Sequence, residues 1–384
     1  MLDRLTADRS SIASAFFGAR FCGRLVDVQS GLSDPHSFGR TVAVVRFASG
    51  RRVVYKPRSL GLEAAFYRLV AWWNRRAGRL ALLAPRVLNR GSYGWMAFVA
   101  HEPCADRRAA GRYWERAGAL LALAGLLDAT DLHYGNVIAH GEHPVLVDAE
   151  TMLQPRWPGE ERSLLDTGLV PSWIRGPDGG RYDVSAFGAI APQWYQGAPV
   201  PLRENTVRIG DEIVSPAAFA DRLEAGLRCA GAVLCARREE LVAAGGPLRG
   251  FHHRRVRMML RHTETYRAAR QRGLDAASLL RPVRDPRVLA AIAAAERAAL
   301  VRGDIPRFVA RTDSGVAALI ARARKLTVEY FEEQARLLRT ALALWELGGE
   351  LAPRVQQQHE DDVEQGGPRE EKHDEPAHAR AVFL

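Results

Sequence analysis

The chain has 384 residues, 47% of them hydrophobic and 26% charged, the proportions of a folded globular protein with a sizeable core. At about 150 residues per domain it makes two or three domains, or one two-lobed unit. Lys and Arg (54) outnumber Asp and Glu (44), and the formal charge of +10 points to anionic partners.

Several classes are excluded at once. The longest charge-free apolar run, residues 117–127, is too short to cross a bilayer, so no transmembrane segment is expected. Met1-Leu2-Asp3-Arg4 does not open a signal peptide. Cys22, Cys104, Cys229 and Cys235 are scattered without a CxxC, which argues against a disulfide framework or a zinc finger and for a cytoplasmic location.

In chain order, residues 24–29 read as a short strand, and Gly31-Leu32-Ser33-Asp34-Pro35-His36-Ser37-Phe38-Gly39 as a loop. Residues 41–47 and 52–55 are β-branched runs joined by Ala48-Ser49-Gly50, a hairpin pattern. Leu62, Phe66, Leu69, Val70 and Trp73 keep a helical period, and residues 85–88 and 95–99 read as further strands. From residue 109 the chain turns helical. Residues 117–129 are apolar nearly all round, which predicts a buried helix. Ser215-Pro216 predicts a helix start with Phe219, Leu223 and Leu227 in phase, and residues 314–347 one or two more helices. Residues 355–384 carry eight acids against three bases, a net of −5 that leaves +15 on the rest; they have no period and predict a disordered tail. The expectation is an α+β fold with the two-lobed outline of a kinase: a small strand-rich N-lobe over 1–100, a large helical C-lobe over 101–350, and an acidic tail over 351–384.

The chemistry concentrates in Thr130-Asp131-Leu132-His133-Tyr134-Gly135-Asn136 and in Val145-Leu146-Val147-Asp148-Ala149-Glu150. An Asp, an Asn five residues on, then an Asp closing a β-branched run is the phosphotransfer pattern of kinases. One Asp sits by the attacking hydroxyl, while the Asn and the second Asp face a metal ion that bridges the phosphates. Lys56, ending a strand, is placed to reach those phosphates, and Glu63 on the following helix to pair with it. The loop 31–39 lies where a phosphate loop would. Singly, each has a plainer reading. An Asp and an Asn meet at this spacing by chance, a strand-end Lys is usually solvated, and a Glu in a first helical turn is favoured by the dipole. Order and placement together carry the inference.

At these residues the chain resembles the dehydratase domain of class II (LanM-type) lanthipeptide synthetases. The resemblance spans roughly residues 10–345. It rests on Leu32-Ser33-Asp34-Pro35-His36-Ser37-Phe38-Gly39-Arg40-Thr41-Val42, Val54-Tyr55-Lys56-Pro57-Arg58, Arg90-Gly91-Ser92-Tyr93-Gly94-Trp95 and the two phosphotransfer segments. Val256-Arg257-Met258-Met259-Leu260-Arg261-His262-Thr263 and Gly303-Asp304-Ile305-Pro306 continue it. The resemblance implies a lipid-kinase-like fold and a two-step reaction. Ser and Thr of a ribosomal precursor peptide are phosphorylated with ATP and Mg²⁺, releasing ADP, and the phosphate is then eliminated to give dehydroalanine or dehydrobutyrine. It implies that Lys56 binds nucleotide phosphate, that Asp131 orients or deprotonates the hydroxyl and that His133 supports that loop. Asn136 and Asp148 would hold Mg²⁺ with Glu150 nearby. Arg257 and Thr263 would serve elimination, with Asp34 and His36 lining the same site.

Set against that family, the chain is expected to lack the N-terminal helical region and the C-terminal cyclase domain. Cys229 and Cys235, six apart on a predicted helix, fall on different faces, so no zinc constellation and no cyclase activity are expected. The implied partners are a precursor peptide with its leader and a separately encoded cyclase or N-terminal-region partner. Two other readings stand beside this one: a truncated inactive fragment that only binds peptide or nucleotide, and a plain small-molecule or lipid-type kinase without elimination. Arg257 belongs to a basic run (Arg254, Arg255, Arg257, Arg261) that alone would pass for a solvated stripe. A nucleic-acid binder, which charge alone suggests, lacks any helix-turn-helix, zinc finger or aromatic–basic motif.

Overall fold

The computed structural model describes residues 1–18, 23–154, 162–175, 181–188, 194–195, 198–199, 203–260, 266 and 286–348. Cys22, Thr263 and the expected tail over 351–384 lie outside these residues. The first element is a helix that the hydrophobic pattern does not announce, α1 (Leu2–Phe17), which buries Leu5, Asp8, Ile12 and Phe16 and ends at Gly18 in the left-handed region (φ 63°). A five-stranded antiparallel sheet follows: β1 (Leu25–Gln29), β2 (Ala43–Phe47), β3 (Arg52–Lys56), β4 (Val87–Asn89) and β5 (Gly94–Ala97), in the order β1-β2-β3-β5-β4. Alternation puts Ala43, Val45, Phe47, Val53, Tyr55 and Trp95 in one core cluster with Leu5, Ile12 and Phe16 of α1. Trp95 Nε1 donates to Asp8 Oδ2 at 2.7 Å and Arg90 Nε lies 2.9 Å from Oδ1, so the buried acid pins α1 to the sheet. Burial opposes its charge, but Trp95, Tyr93 and Arg90 hold the Asp8 carboxyl below the usual range.

Between β3 and β4 runs α2 (Gly61–Asn74), whose Leu62, Phe66, Leu69, Val70 and Trp73 are all buried, as their spacing predicts. They join a second, larger cluster centred on α3 (Arg107–Leu126). Asp106 caps α3, accepting the Ala109 N–H at 2.7 Å. The predicted all-round burial holds here: Ala117 and Leu120–Ala124 are each at most 1% exposed. The hairpin β6 (Val137–His140) and β7 (His143–Leu146) turns on Gly141 at φ 55°. Three short hairpins come next: β8 (Trp173–Arg175) with β9 (Arg181–Asp183), β10 (Trp194–Tyr195) with β11 (Ala198–Pro199), and β12 (Arg208–Ile209) with β13 (Glu212–Ile213).

Ser215 Oγ accepts the Ala217 N–H at 3.3 Å and opens a 3₁₀ turn (Ala217–Phe219) that leads into α4 (Ala220–Ala236). Packing of α4 on α3 is backbone to backbone. A Cβ on Gly118 would stand 2.0 Å from the Leu223 carbonyl oxygen, and one on Gly226 1.8 Å from that of Glu115. After α5 (Arg238–Val242), β14 (Arg255–Met258) pairs antiparallel with β15 (Phe308–Arg311), and α6 (Pro286–Val301) lies between them in sequence. The predicted helical stretch over 314–347 is two helices, α7 (Asp313–Arg324) and α8 (Val328–Glu346), broken where Thr327 Oγ1 caps Tyr330 N–H at 3.2 Å. No helix among the described residues is long and apolar enough to cross a membrane.

Candidate active site

The site begins where β3 ends. Lys56 is 4% exposed; its Nζ donates to the Val147 carbonyl at 2.7 Å and pairs with Asp148 Oδ2 at 2.9 Å. The β6–β7 hairpin delivers both acceptors. Val137 pairs with Leu146, so Asn136 and Val147 face each other at its open end, where Val147 N–H donates to the Asn136 carbonyl at 2.8 Å. Asn136 and Asp148 therefore stand on neighbouring strand ends.

The expected Lys56–Glu63 pair does not form. Glu63, 0% exposed on α2, is held by Arg58 instead, because Lys56 is occupied by Asp148. The same guanidinium reaches Asp148 Oδ1 at 2.6 Å and Glu150 Oε2 at 3.0 Å. Glu150 then binds two more arginines: Arg257 at 3.0 Å on Oε1 and Arg307 at 2.9 Å on Oε2. The Arg257 N–H donates to the Glu150 carbonyl at 2.8 Å, and Gln154 receives Met259 N–H at 3.2 Å while donating to the Arg257 carbonyl. These bonds lay β14 along residues 150–154. Four cations (Lys56, Arg58, Arg257, Arg307) thus surround three carboxylates (Glu63, Asp148, Glu150), a surplus of one positive charge. Burial alone would raise the Asp148 carboxyl, but Arg58 and Lys56 hold it well below the usual range. Glu150 is likewise held down against burial by Arg58, Arg307 and Arg257.

A second group comes from the loop between β1 and β2. Ser37, Phe38 and Gly39 all have positive φ (50°, 71° and 72°), a costly conformation for the first two. It is held from across the chain: the Asp304 carboxylate, 1% exposed, accepts Phe38 N–H and Gly39 N–H at 2.8 Å each. Next to it Ile305 N–H donates to the Pro35 carbonyl at 2.8 Å, and His36 Nδ1 lies 2.7 Å from the Ile305 carbonyl oxygen. A carbonyl only accepts, so Nδ1 carries the proton and Nε2 the lone pair. Burial pushes the His36 imidazole below its usual value, and Arg257 and Arg307 push the same way against the Ile305 carbonyl and Glu150. Both effects favour the neutral ring. Asp34 is half-buried at the foot of this loop.

A third group is the turn that carries Asp131. Thr130 N–H donates to the Thr151 carbonyl at 3.3 Å and Leu132 N–H to that of Thr167 at 2.9 Å, fixing both flanks of Asp131, whose φ is 56°. Asn136 Oδ1 accepts the His133 N–H at 2.9 Å, and His133 Nδ1 accepts the Gly135 N–H at 3.0 Å. His133 and Asn136 thus close one turn, which begins two residues after Asp131. Of the residues singled out from sequence, Lys56, Asp148, Glu150 and Arg257 meet through direct ion pairs, with His36 in their field and Asn136 alongside. Arg307 belongs to the cluster without being marked in the sequence; Arg58 and Asp304 lie in marked segments, but neither the ion pairs of the one nor the hold of the other on the loop has a local trace.

Among known proteins, the family model described as "Domain of unknown function (DUF4135)" matches residues 1–311. A curated relative, the "Lacticin 481/lactococcin biosynthesis protein LcnDR2" of Lactococcus lactis subsp. lactis, is 30% identical over 146 residues, which is 34% of this chain and 16% of the relative. The chain thus matches about a sixth of that relative's length.

Proposed function

The chain belongs to the DUF4135 family, and from that membership and its site we propose that it is a lanthipeptide dehydratase, phosphorylating Ser and Thr of a ribosomal precursor peptide and then eliminating the phosphate. The observation that carries this reading is the single chain of ion pairs from Lys56 and Asp148 through Arg58 and Glu150 to Arg257 and Arg307. It joins a group suited to transferring a phosphate with one suited to expelling it. The likeness to a protein named for lacticin 481 biosynthesis supports the same substrate class.

In this reading the strand-rich and helical parts are the two lobes of a kinase-like fold and ATP is the phosphate donor. Asn136 and Asp148 offer hard oxygens on adjacent strand ends and would hold Mg²⁺. When bound, Mg²⁺ supplies charge neutralisation on the phosphates. Lys56 binds and orients the transferred phosphate. Asp131 receives the proton of the Ser or Thr hydroxyl as its oxygen attacks the γ-phosphorus and ADP leaves.

For elimination, His36 Nε2 takes the Cα proton, the Cα=Cβ bond forms, and the Cβ–Oγ bond breaks with its electron pair leaving on phosphate. Arg257 meets the charge that develops there. Asp34 and Thr263 complete the elimination site. A peptide with its leader is the partner, together with a separately encoded cyclase or N-terminal-region protein.

Mass spectrometry of a neighbouring precursor peptide after incubation with ATP and Mg²⁺ tests this. Loss of water at Ser and Thr is expected. Asp148→Ala is expected to leave the peptide unmodified, and Arg257→Ala to accumulate phosphopeptide. Phosphate gain without loss in the wild type would favour a plain kinase, and an unmodified peptide would overturn both enzymatic readings.

A further inference from the structure

We propose that Arg307 is a second phosphate-binding residue of the elimination step, forming with Arg257 a two-guanidinium cradle that Glu150 holds in place. The inference rests on the dehydratase reading. The two arginines come from the two strands of one ladder: Arg257 lies in β14, and Arg307 immediately precedes β15, whose Phe308 pairs with Met258. Their guanidiniums grip opposite oxygens of Glu150, at 3.0 and 2.9 Å. A phosphate presents the same kind of two-oxygen edge with more charge, and planar guanidiniums suit it.

Three observations mark this as the side a phosphate enters. The cations exceed the carboxylates by one. Of the three guanidiniums on Glu150, that of Arg307 is the most exposed, at 21% against 13% for Arg257 and 11% for Arg58. Arg307 also follows Asp304 and Ile305, the residues that hold the His36 loop, so the imidazole and the cradle are set by one short segment. As His36 removes the Cα proton and the Cβ–Oγ pair departs with phosphate, Arg307 shares with Arg257 the charge that builds on the leaving oxygens.

The test uses the full chain, the precursor peptide and a synthetic version carrying phosphoserine. Arg307→Ala is expected to slow release of phosphate from the phosphopeptide by on the order of a hundredfold. Phosphorylation should fall far less, so that phosphopeptide builds up in the ATP reaction. Arg307→Lys, which keeps a charge for Glu150, should recover part of the loss and decides the matter if the Ala variant does not fold. Equal losses in phosphorylation and elimination make Arg307 a prop of the whole site and overturn the proposal, as does elimination at the wild-type rate. A wild type that neither phosphorylates nor eliminates overturns the dehydratase reading instead. Calorimetric titration of the phosphopeptide then decides the cradle separately: weaker binding by Arg307→Ala supports it and equal affinity overturns it.

Discussion

Arg58 is the residue on which the candidate site turns. It lies two positions after Lys56, and the two cations take the two oxygens of Asp148, at 2.9 Å from Lys56 and 2.6 Å from Arg58. It also neutralises Glu63, which is 0% exposed and whose Oε2 has no hydrogen-bond partner. Removing Arg58 strands that buried charge, and breaking a buried pair in this way costs about 3–5 kcal/mol. Arg58→Ala is therefore expected to lose about that much unfolding free energy in urea titrations. Arg58→Lys should recover less than half, since a compact ammonium lacks the planar fork with which the guanidinium spans Glu63, Asp148 and Glu150. A loss below about 1 kcal/mol, the scale of an exposed pair, would contradict this account. The sequence showed Lys56 and Glu63 as a plausible couple. Which cation Glu63 takes depends on Asp148, 92 positions from Lys56, claiming the lysine first.

At the scale of elements, α3 and α4 meet backbone to backbone. Glycine inside a helix ordinarily costs about 1 kcal/mol relative to alanine, so replacing it should stabilise. Here the sign reverses. A Cβ at Gly118 or Gly226 runs into a carbonyl oxygen of the facing helix, and only backbone movement would relieve it. Gly118→Ala and Gly226→Ala are each expected to lower the thermal midpoint and the soluble yield, while Gly245→Ala, with open space around its Cβ and no positive φ, should leave both nearly unchanged. A rise in midpoint for Gly118→Ala would contradict the packing. Burial of α3 was legible because its apolar residues run all round. The hidden element was α1: its buried stripe at Leu5, Asp8, Ile12 and Phe16 has helical spacing, but an acid fills one position. That acid is tolerated because Trp95, 87 positions away, donates to it.

Over the whole molecule, one unit of the +10 charge sits in a set of carboxylates ringed by cations, and the rest lies elsewhere in the chain. If nucleotide binds that set, it stabilises the native state by mass action. MgATP at about a hundred times its dissociation constant adds about 2.7 kcal/mol. We expect the thermal midpoint to rise by on the order of 5 °C, and the rise to vanish in Asp148→Ala. No shift at millimolar MgATP in the wild type would count against nucleotide binding. The amino-acid sequence alone was enough for the hairpin over Ala48-Ser49-Gly50, the helix of Leu62 to Trp73, the buried α3 and the turn from His133 to Asn136. Each of these is set by neighbours a few residues apart, through periodicity, turn chemistry or a short hydrogen bond. The tertiary structure alone decided that Arg58 serves Glu63, that Arg307 joins Arg257, and that Asp304 holds the strained loop at Phe38. Those bonds other than Arg58–Glu63 span 107 to 266 positions, and Arg255 and Arg257 are alike in sequence until the ladder leaves one exposed and brings the other to Glu150. A local pattern carries the chemistry a residue can perform; which partner meets it is settled by long-range packing and by which charge is neutralised first.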